Sequence, residues 1–376
     1  IKKNKKSQAF LLPAALMIAG NSVAHSKGKK TDKRPNILVI LADDLGYSDL
    51  GCYGSEIHTP NLDKLAQQGV RFNHFYNASR SCPTRASLLT GLYQHQAGIG
   101  RMTFDDNLPG YRGTLSRNAV TIAEVLKESG YTTSMIGKWH VAETPLRKDQ
   151  REWLAHHVYH DTYSDLCHYP VNRGFDSHYG TIYGVVDYFD PFSLVEGEVP
   201  VKEVPEGYYI TQALSDRAAE EVTEYAKDDK PFFMYLAYTA PHWPLHALPE
   251  DIEKYKDTYK VGWEAIRNAR YERQKQLGIF PGMDDFLSER QFKDRWEDNA
   301  HAEWDARAMA VHAAMIDRMD QGIGQVIDAL EKTGQLDNTL ILFLSDNGCS
   351  NENCQNYSPG ENDRPDMTRK GEKMVY

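Results

Sequence analysis

A serine hydroxyl and a guanidinium four residues apart, with a proline between them, open the stretch Ser81-Cys82-Pro83-Thr84-Arg85-Ala86-Ser87-Leu88-Leu89-Thr90-Gly91. Proline suits the first turn of a helix, where its missing N–H leaves nothing unsatisfied, so Ser81 falls at or just before a helix N-terminus. Ser81 and Arg85 then face one pocket into which backbone N–H groups also point, and such a pocket suits a tetrahedral oxyanion. The plain alternative is a helix that packs Leu88 and Leu89 into a core. Elsewhere stand Asp43-Asp44, Lys138 with His140, His242, and Asp346-Asn347. Three carboxylates and an amide oxygen would make a hard cage, suited to Ca²⁺ or Mg²⁺ and not to a soft metal.

These groups matter together only if the fold gathers them. Residues 36–42 form a continuous apolar run rich in β-branched side chains, as expected of a strand buried on both faces of a parallel sheet. Similar runs at 131–136, 232–238 and 339–344 predict three more strands. The four runs end in Asp43-Asp44, Lys138/His140, His242 and Asp346-Asn347. In open α/β sheets ligand sites form outside the carboxyl ends of strands, so the groups are placed to converge. Each has a dull alternative in helix capping or turn chemistry, but all four share one structural position.

Cap, proline and periodicity signals predict helices at 60–68, 121–129, 210–226 and 307–333. A short strand is expected over 72–76, leading to the Ser81 turn. Between 141 and 206 regular signals fade into a segment dense in His, Tyr and Asp, including His156, His157, His160, His168 and His178. No metal-ligand spacing repeats there, so the histidines are expected to line loops. Residues 250–305 read as a surface excursion.

The chain has 376 residues and 41% hydrophobic content, enough for one large α/β domain or two ordinary ones. Its net charge of −10 hides an asymmetry: residues 1–34 hold nine Lys/Arg against one Asp, leaving −18 for the remainder. That balance gives no support for nucleic-acid binding, and an anionic substrate would need a local basic pocket. Lys2, Lys3, Lys5 and Lys6, an apolar run over 9–20 and Ser22-Val23-Ala24 read as a signal peptide over 1–24. A basic linker over 25–34 and a catalytic domain over 35–376 follow. The apolar run is shorter than the roughly 20 residues that span a bilayer, so no membrane span is expected. Cys52, Cys82, Cys167, Cys349 and Cys354 are too scattered for a disulfide framework, though Cys349 and Cys354 could pair.

The pattern of Ser or Cys, any residue, Pro, any residue, Arg, four residues and Thr-Gly resembles the signature of type I sulfatases, whose first residue is oxidised to formylglycine. The register puts that position at Ser81 and leaves Cys82 on a variable one. Arg173-Gly174-Phe175-Asp176 and His178-Tyr179-Gly180 also resemble a sulfatase segment, and long loops on the same side as the strand ends are expected to form the substrate rim. The resemblance implies an alkaline-phosphatase-like α/β fold, a large mostly parallel sheet sandwiched by helices. It assigns Asp43, Asp44, Asp346 and Asn347 with the modified Ser81 to a metal, usually Ca²⁺, and Arg85, Lys138 and His140 to the formylglycine and sulfate. His242 matches the residue that protonates the leaving alcohol.

A serine at the modified position implies a bacterial, anaerobic-type sulfatase-maturating enzyme as a partner, and with the signal peptide a periplasmic or secreted protein. The family's further downstream Lys and antiparallel C-terminal subdomain have no counterpart before Tyr376, and neither Lys370 nor Lys373 carries an identifying motif. The expected substrate is a sulfated glycan or a small sulfate ester. Two alternatives stay open: a phosphodiesterase or phosphonate hydrolase of the same fold, and a non-catalytic glycan-binding protein with unmodified Ser81.

Overall fold

The computed structural model of the chain describes residues 34–143, 163–282, 287–288, 295–350 and 368. The expected signal peptide over 1–24, and His156, His157, His160, Cys354, Lys370 and Lys373, lie outside the described residues. Strand β1 (Asn36–Ala42) is followed by helices α1 (Pro60–Gln68), α2 (Ser81–Thr90) and α3 (Ile122–Glu128). Next come β2 (Thr132–Gly137), β3 (Ser177–Thr181), β4 (Leu194–Glu196), β5 (Val199–Pro200) and α4 (Ile210–Tyr225). Strand β6 (Phe232–Ala237) leads through α5 (Pro249–Glu253), α6 (Trp263–Gln276) and α7 (Ala302–Lys332) to β7 (Thr339–Ser345).

One sheet collects the strands in the order β5-β4-β3-β2-β6-β1-β7. Strands β3, β2, β6, β1 and β7 are parallel, and β4 and β5 add an antiparallel edge. The four strands expected to deliver chemistry, β2, β6, β1 and β7, are consecutive neighbours, so their carboxyl ends lie along one rim. Every residue of β6 is buried, which explains why Phe232-Phe233-Met234-Tyr235-Leu236-Ala237 reads as unbroken apolar sequence.

Helices cover this sheet through contacts that sequence periodicity does not announce. Helix α7 carries Gly322 and Gly324 in its interior, where glycine costs about 1 kcal/mol relative to alanine. A Cβ on Gly322 would fall 2.0 Å from Ser215 Oγ of α4, so the glycine permits that close approach. From the same stretch of α7, Asp320 accepts from the backbone N–H groups of Asn61 (3.1 Å) and Leu62 (2.8 Å), satisfying the start of α1. Thr59 stands at the N-cap position of α1 but makes no side-chain cap bond, and it donates its hydroxyl to Asp63 at 3.1 Å.

The short strand expected over 72–76 is absent. No strand pairs with that segment, and Phe72, Phe75 and Tyr76 are 57%, 62% and 85% exposed. Its aromatic residues meet each other, with the Phe72 and Phe75 rings 5.8 Å apart, and line no ladder. In the segment of fading signals, β3 emerges with His178 buried on it, so this histidine belongs to the sheet and not to a loop. Arg173 is buried too, donating to the carbonyls of Leu115, Ser116 and Ala119 at 3.1, 3.3 and 2.7 Å. Arg173 of the sulfatase-like segment is therefore a clamp inside the fold. No helix among the described residues is long and apolar enough to cross a membrane.

Candidate active site at the strand ends

Helix α2 begins at Ser81 itself, with Arg80 in extended conformation as its N-cap and no side chain capping the first turn. The open N–H groups and the positive end of the helix dipole therefore face the pocket. Ser81 is 8% exposed. Its Oγ accepts from Arg85 Nε at 3.0 Å and lies 3.3 Å from His140 Nδ1. The four-residue spacing read from the sequence, about one helical turn, thus becomes a direct contact between hydroxyl and guanidinium.

Arg85 is fully buried and ties three strand ends to the helix. It donates to Asp346 Oδ2 through Nε (3.0 Å) and Nη2 (2.8 Å), and to the Lys138 carbonyl through Nη1 at 2.8 Å. Its Nη2 also lies 3.5 Å from Asp43 Oδ1. The carboxylates beside Arg85 hold its charged form even more firmly than usual. Lys138, equally buried, donates its Nζ to Asp43 Oδ2. Asp44 accepts from the Asn347 amide, its own N–H meets Asp346 Oδ1 at 3.3 Å, and its Oδ2 lies 3.6 Å from His242 Nε2. All nine residues named from the sequence are thereby gathered in one place.

Two of these residues sit in left-handed backbone, Asp44 at φ 62° and His140 at φ 54°. For non-glycine residues this conformation persists only where surroundings over-determine it, and it recurs at functional sites. Burial, helped by Lys138 and Arg85, drives the His140 pKa well below its usual range, so its ring is neutral and able to accept a proton. Burial, with Lys138 next, lowers His242 to about 4. Its Nδ1–H donates to the Trp243 carbonyl at 2.5 Å, which fixes the tautomer and turns a bare Nε2 toward Asp44.

The donor set fits a hard divalent cation. Asp43, Asp44 and Asp346 bring three carboxylates against two cations, Lys138 and Arg85, leaving net negative charge in a buried space. Asp43 Oδ1 is buried and accepts no hydrogen bond, and burial together with Asp43 raises the Asp346 pKa. Ligand atoms of Asp43, Asp44 and His242 all lie within 4.8 Å of one another. Asp346 turns its Oδ2 to Arg85, and Asn347 presents its amide nitrogen, so a half-turn of that amide would offer its oxygen.

Several residues of the site escape sequence reasoning. A Cβ on Gly184 would fall 2.1–2.5 Å from His140 ring atoms, so the imidazole rests against bare backbone there. Tyr188 donates its hydroxyl to the carbonyls of Thr239 (2.7 Å) and His242 (2.8 Å), fixing the His242 loop. As one of 22 tyrosines it carries no sequence signal. Cys82 is fully buried against Met102, and burial pushes its thiol up to about 12, which removes it as a nucleophile. Cys52, Cys82, Cys167 and Cys349 are free thiols.

Beside Asp44 a cavity of about 1040 Å³ runs outward between α6 and the beginning of α7. Much of its wall comes from residues between 259 and 305, inside the 250–305 stretch that sequence marks only as a surface excursion, and Arg307 to His312 add the start of α7.

The family model described as Sulfatase matches residues 35–369. An arylsulfatase of Klebsiella aerogenes is 34% identical over 354 residues, covering 92% of this chain and 72% of that protein. A sulfatase of Schizosaccharomyces pombe, uncharacterized by name, is 35% identical over 342 residues, covering 84% and 58%. The chain thus spans between 58% and 72% of the length of these two relatives. Among solved structures, Ps i-CgsB in complex with a neocarrahexaose aligns with a TM-score of 0.58 at 32% identity, over 84% of this chain and 59% of that one.

Proposed function

The chain belongs to the sulfatase family, and from that premise we propose that it removes sulfate from a sulfated carbohydrate. In this reading Ser81, oxidised to formylglycine, is the nucleophile, and Asp43, Asp44, Asp346 and Asn347 hold a divalent cation, Ca²⁺ or in its place Mg²⁺. The observation that carries the reading is the position of Ser81 Oγ, in contact with both Arg85 (3.0 Å) and His140 (3.3 Å) at an open helix N-terminus. The neocarrahexaose in the solved relative supports a carbohydrate as substrate.

A cation in the cage would lower the pKa of the attacking hydroxyl and take up charge on the sulfuryl oxygens. Oxidation of Ser81 gives an aldehyde whose hydrate has two hydroxyls on one carbon, one to attack sulfur and one to expel sulfate, which plain serine lacks. Arg85 and the N–H groups of α2 hold the sulfuryl oxygens and stabilise their charge in flight. Lys138 offsets Asp43 and keeps its carboxylate oriented. His140, neutral and at hydrogen-bond distance, takes the proton of the second hydroxyl. His242 gives a proton to the departing sugar oxygen. In the free protein its one ring proton is engaged by Trp243, so the anionic ester itself must favour the charged ring. Overall, the ester S–O bond breaks, one water is consumed, and alcohol and sulfate leave.

The same reading calls for an anaerobic-type sulfatase-maturating enzyme, and residues 1–24 support export to the periplasm or beyond. The test is the mass of the Ser81 peptide from protein made beside an active maturase, combined with release of sulfate from a panel of sulfated saccharides. Loss of two hydrogens at Ser81 and sulfate release by the matured chain are the expected results. An unmodified serine, with the maturase active on a control, would overturn the nucleophile.

A further inference from the structure

We propose that the cavity beside Asp44 is a subsite for a second sulfated saccharide unit, so that the preferred substrate is an oligosaccharide with another sulfate next to the one removed. This inference rests on the sulfatase reading of the neighbouring site. At about 1040 Å³ the cavity is at the upper end of the roughly 300–1,000 Å³ that encloses a drug-sized ligand, leaving room for more than one sugar ring.

Its lining is unusual for this chain. Three of the six tryptophans, Trp243, Trp263 and Trp304, face into it. Trp304 stands in the first turn of α7 and is 57% exposed, an arrangement that leaves its large apolar face available to a ligand and not to the core. The negative face of an indole attracts the C–H edge of a sugar ring, which supplies affinity without demanding one hydroxyl pattern.

Arginine supplies the second element. Arg307 lies three residues beyond Trp304 on the same helix, so the two side chains share a face. Arg307 is exposed and no carboxylate pairs with it among the described residues. Across the cavity Arg267 of α6 donates to the Ser288 carbonyl and hydroxyl, and it too has no carboxylate partner among the described residues. The lining arginine Arg270 is engaged by Asp49 and Glu56, and the lining carboxylate Asp305 accepts from Asn299 at 2.7 Å. The whole fork of Arg307 and the Nη1 and Nε donors of Arg267, whose Nη2 is engaged by Ser288, therefore remain for an anion among the described residues, and a planar fork matches the oxygens of a sulfate ester two at a time.

The experiment measures binding to the full chain carrying Ser81→Ala, which separates recognition from turnover. Heparin, chondroitin sulfate and carrageenan hexasaccharides, and a monosulfated monosaccharide from each, are titrated calorimetrically, then again after adding Trp304→Ala or Arg307→Ala. At least one hexasaccharide should bind more tightly than its monosaccharide, and each added substitution should shrink that preference about tenfold. A preference unchanged by both substitutions, or no hexasaccharide preferred at all, overturns the subsite. Hexasaccharide binding that needs Trp304 and Arg307, with no sulfate released by the matured wild-type chain, would uphold the subsite and overturn the catalytic reading.

Discussion

The floor of the site and the wall beside it are built on opposite terms. On the floor, Arg85, Lys138, Asp43 and Asp346 are all 0% exposed and joined to one another by ion pairs. On the wall, Trp304 is 57% exposed and Arg307 stands without a carboxylate partner among the described residues. Bond making requires groups held within fractions of an ångström, which buried and mutually constrained charges provide. Holding a saccharide requires broad surfaces and free donors that can accommodate several arrangements. A change on the floor should therefore act through rate, and a change on the wall through affinity.

Four experiments would break or sharpen that contrast. Ser81→Ala should reduce sulfate release by about a thousandfold or more, because it removes the only group able to become the aldehyde. Its thermal midpoint should stay within about 4 °C of wild type, which unfolding followed by circular dichroism would check. Next in size is the cation. Adding Ca²⁺ at a hundred times its dissociation constant should stabilise the chain by about 2.7 kcal/mol. Asp44→Asn, which tolerates the left-handed backbone at this position, should lose most of that gain; an undiminished gain would place the cation elsewhere.

Gly184→Ala should lower kcat roughly ten- to a hundredfold with little change in KM, because a methyl group there must displace the His140 ring. A rise in KM at constant kcat would assign Gly184 to the wall. Smallest are the wall substitutions themselves, Trp304→Ala and Arg307→Ala, expected to cost about tenfold in the preference for the longer saccharide. If either lowered kcat as strongly as Gly184→Ala, the division between floor and wall would fail.

The floor was largely legible in the sequence. Strands of a parallel sheet announce themselves as continuous apolar runs, and polar residues just past such runs are placed by the topology on one rim. That logic places Asp43, Asp44, Lys138, His140, His242, Asp346 and Asn347 on one rim, the Pro83 and Arg85 spacing adds Ser81, and the structure brings them together there. The same logic failed where function depends on what is missing from a residue. Gly184 matters because it has no Cβ, and a glycine in a loop of weak signals looks like any other. The wall was illegible for another reason: α6 and the start of α7 are some distance apart in sequence, and their joint face exists only after folding. The clamp made by Arg173 is equally invisible, because a buried arginine clamping backbone carbonyls has the same sequence appearance as one that awaits an anion.

The burial of Ser81 also bears on the order of events. In the folded chain Ser81 keeps 8% exposure toward its pocket while Cys82, Pro83, Thr84 and Arg85 are buried, so an enzyme that must take this segment into its own active centre cannot grip it. If Ser81 is oxidised, the oxidation must reach the chain before α2 docks on the sheet. Maturation and folding are then competitors in time, and a molecule that folds first keeps its serine.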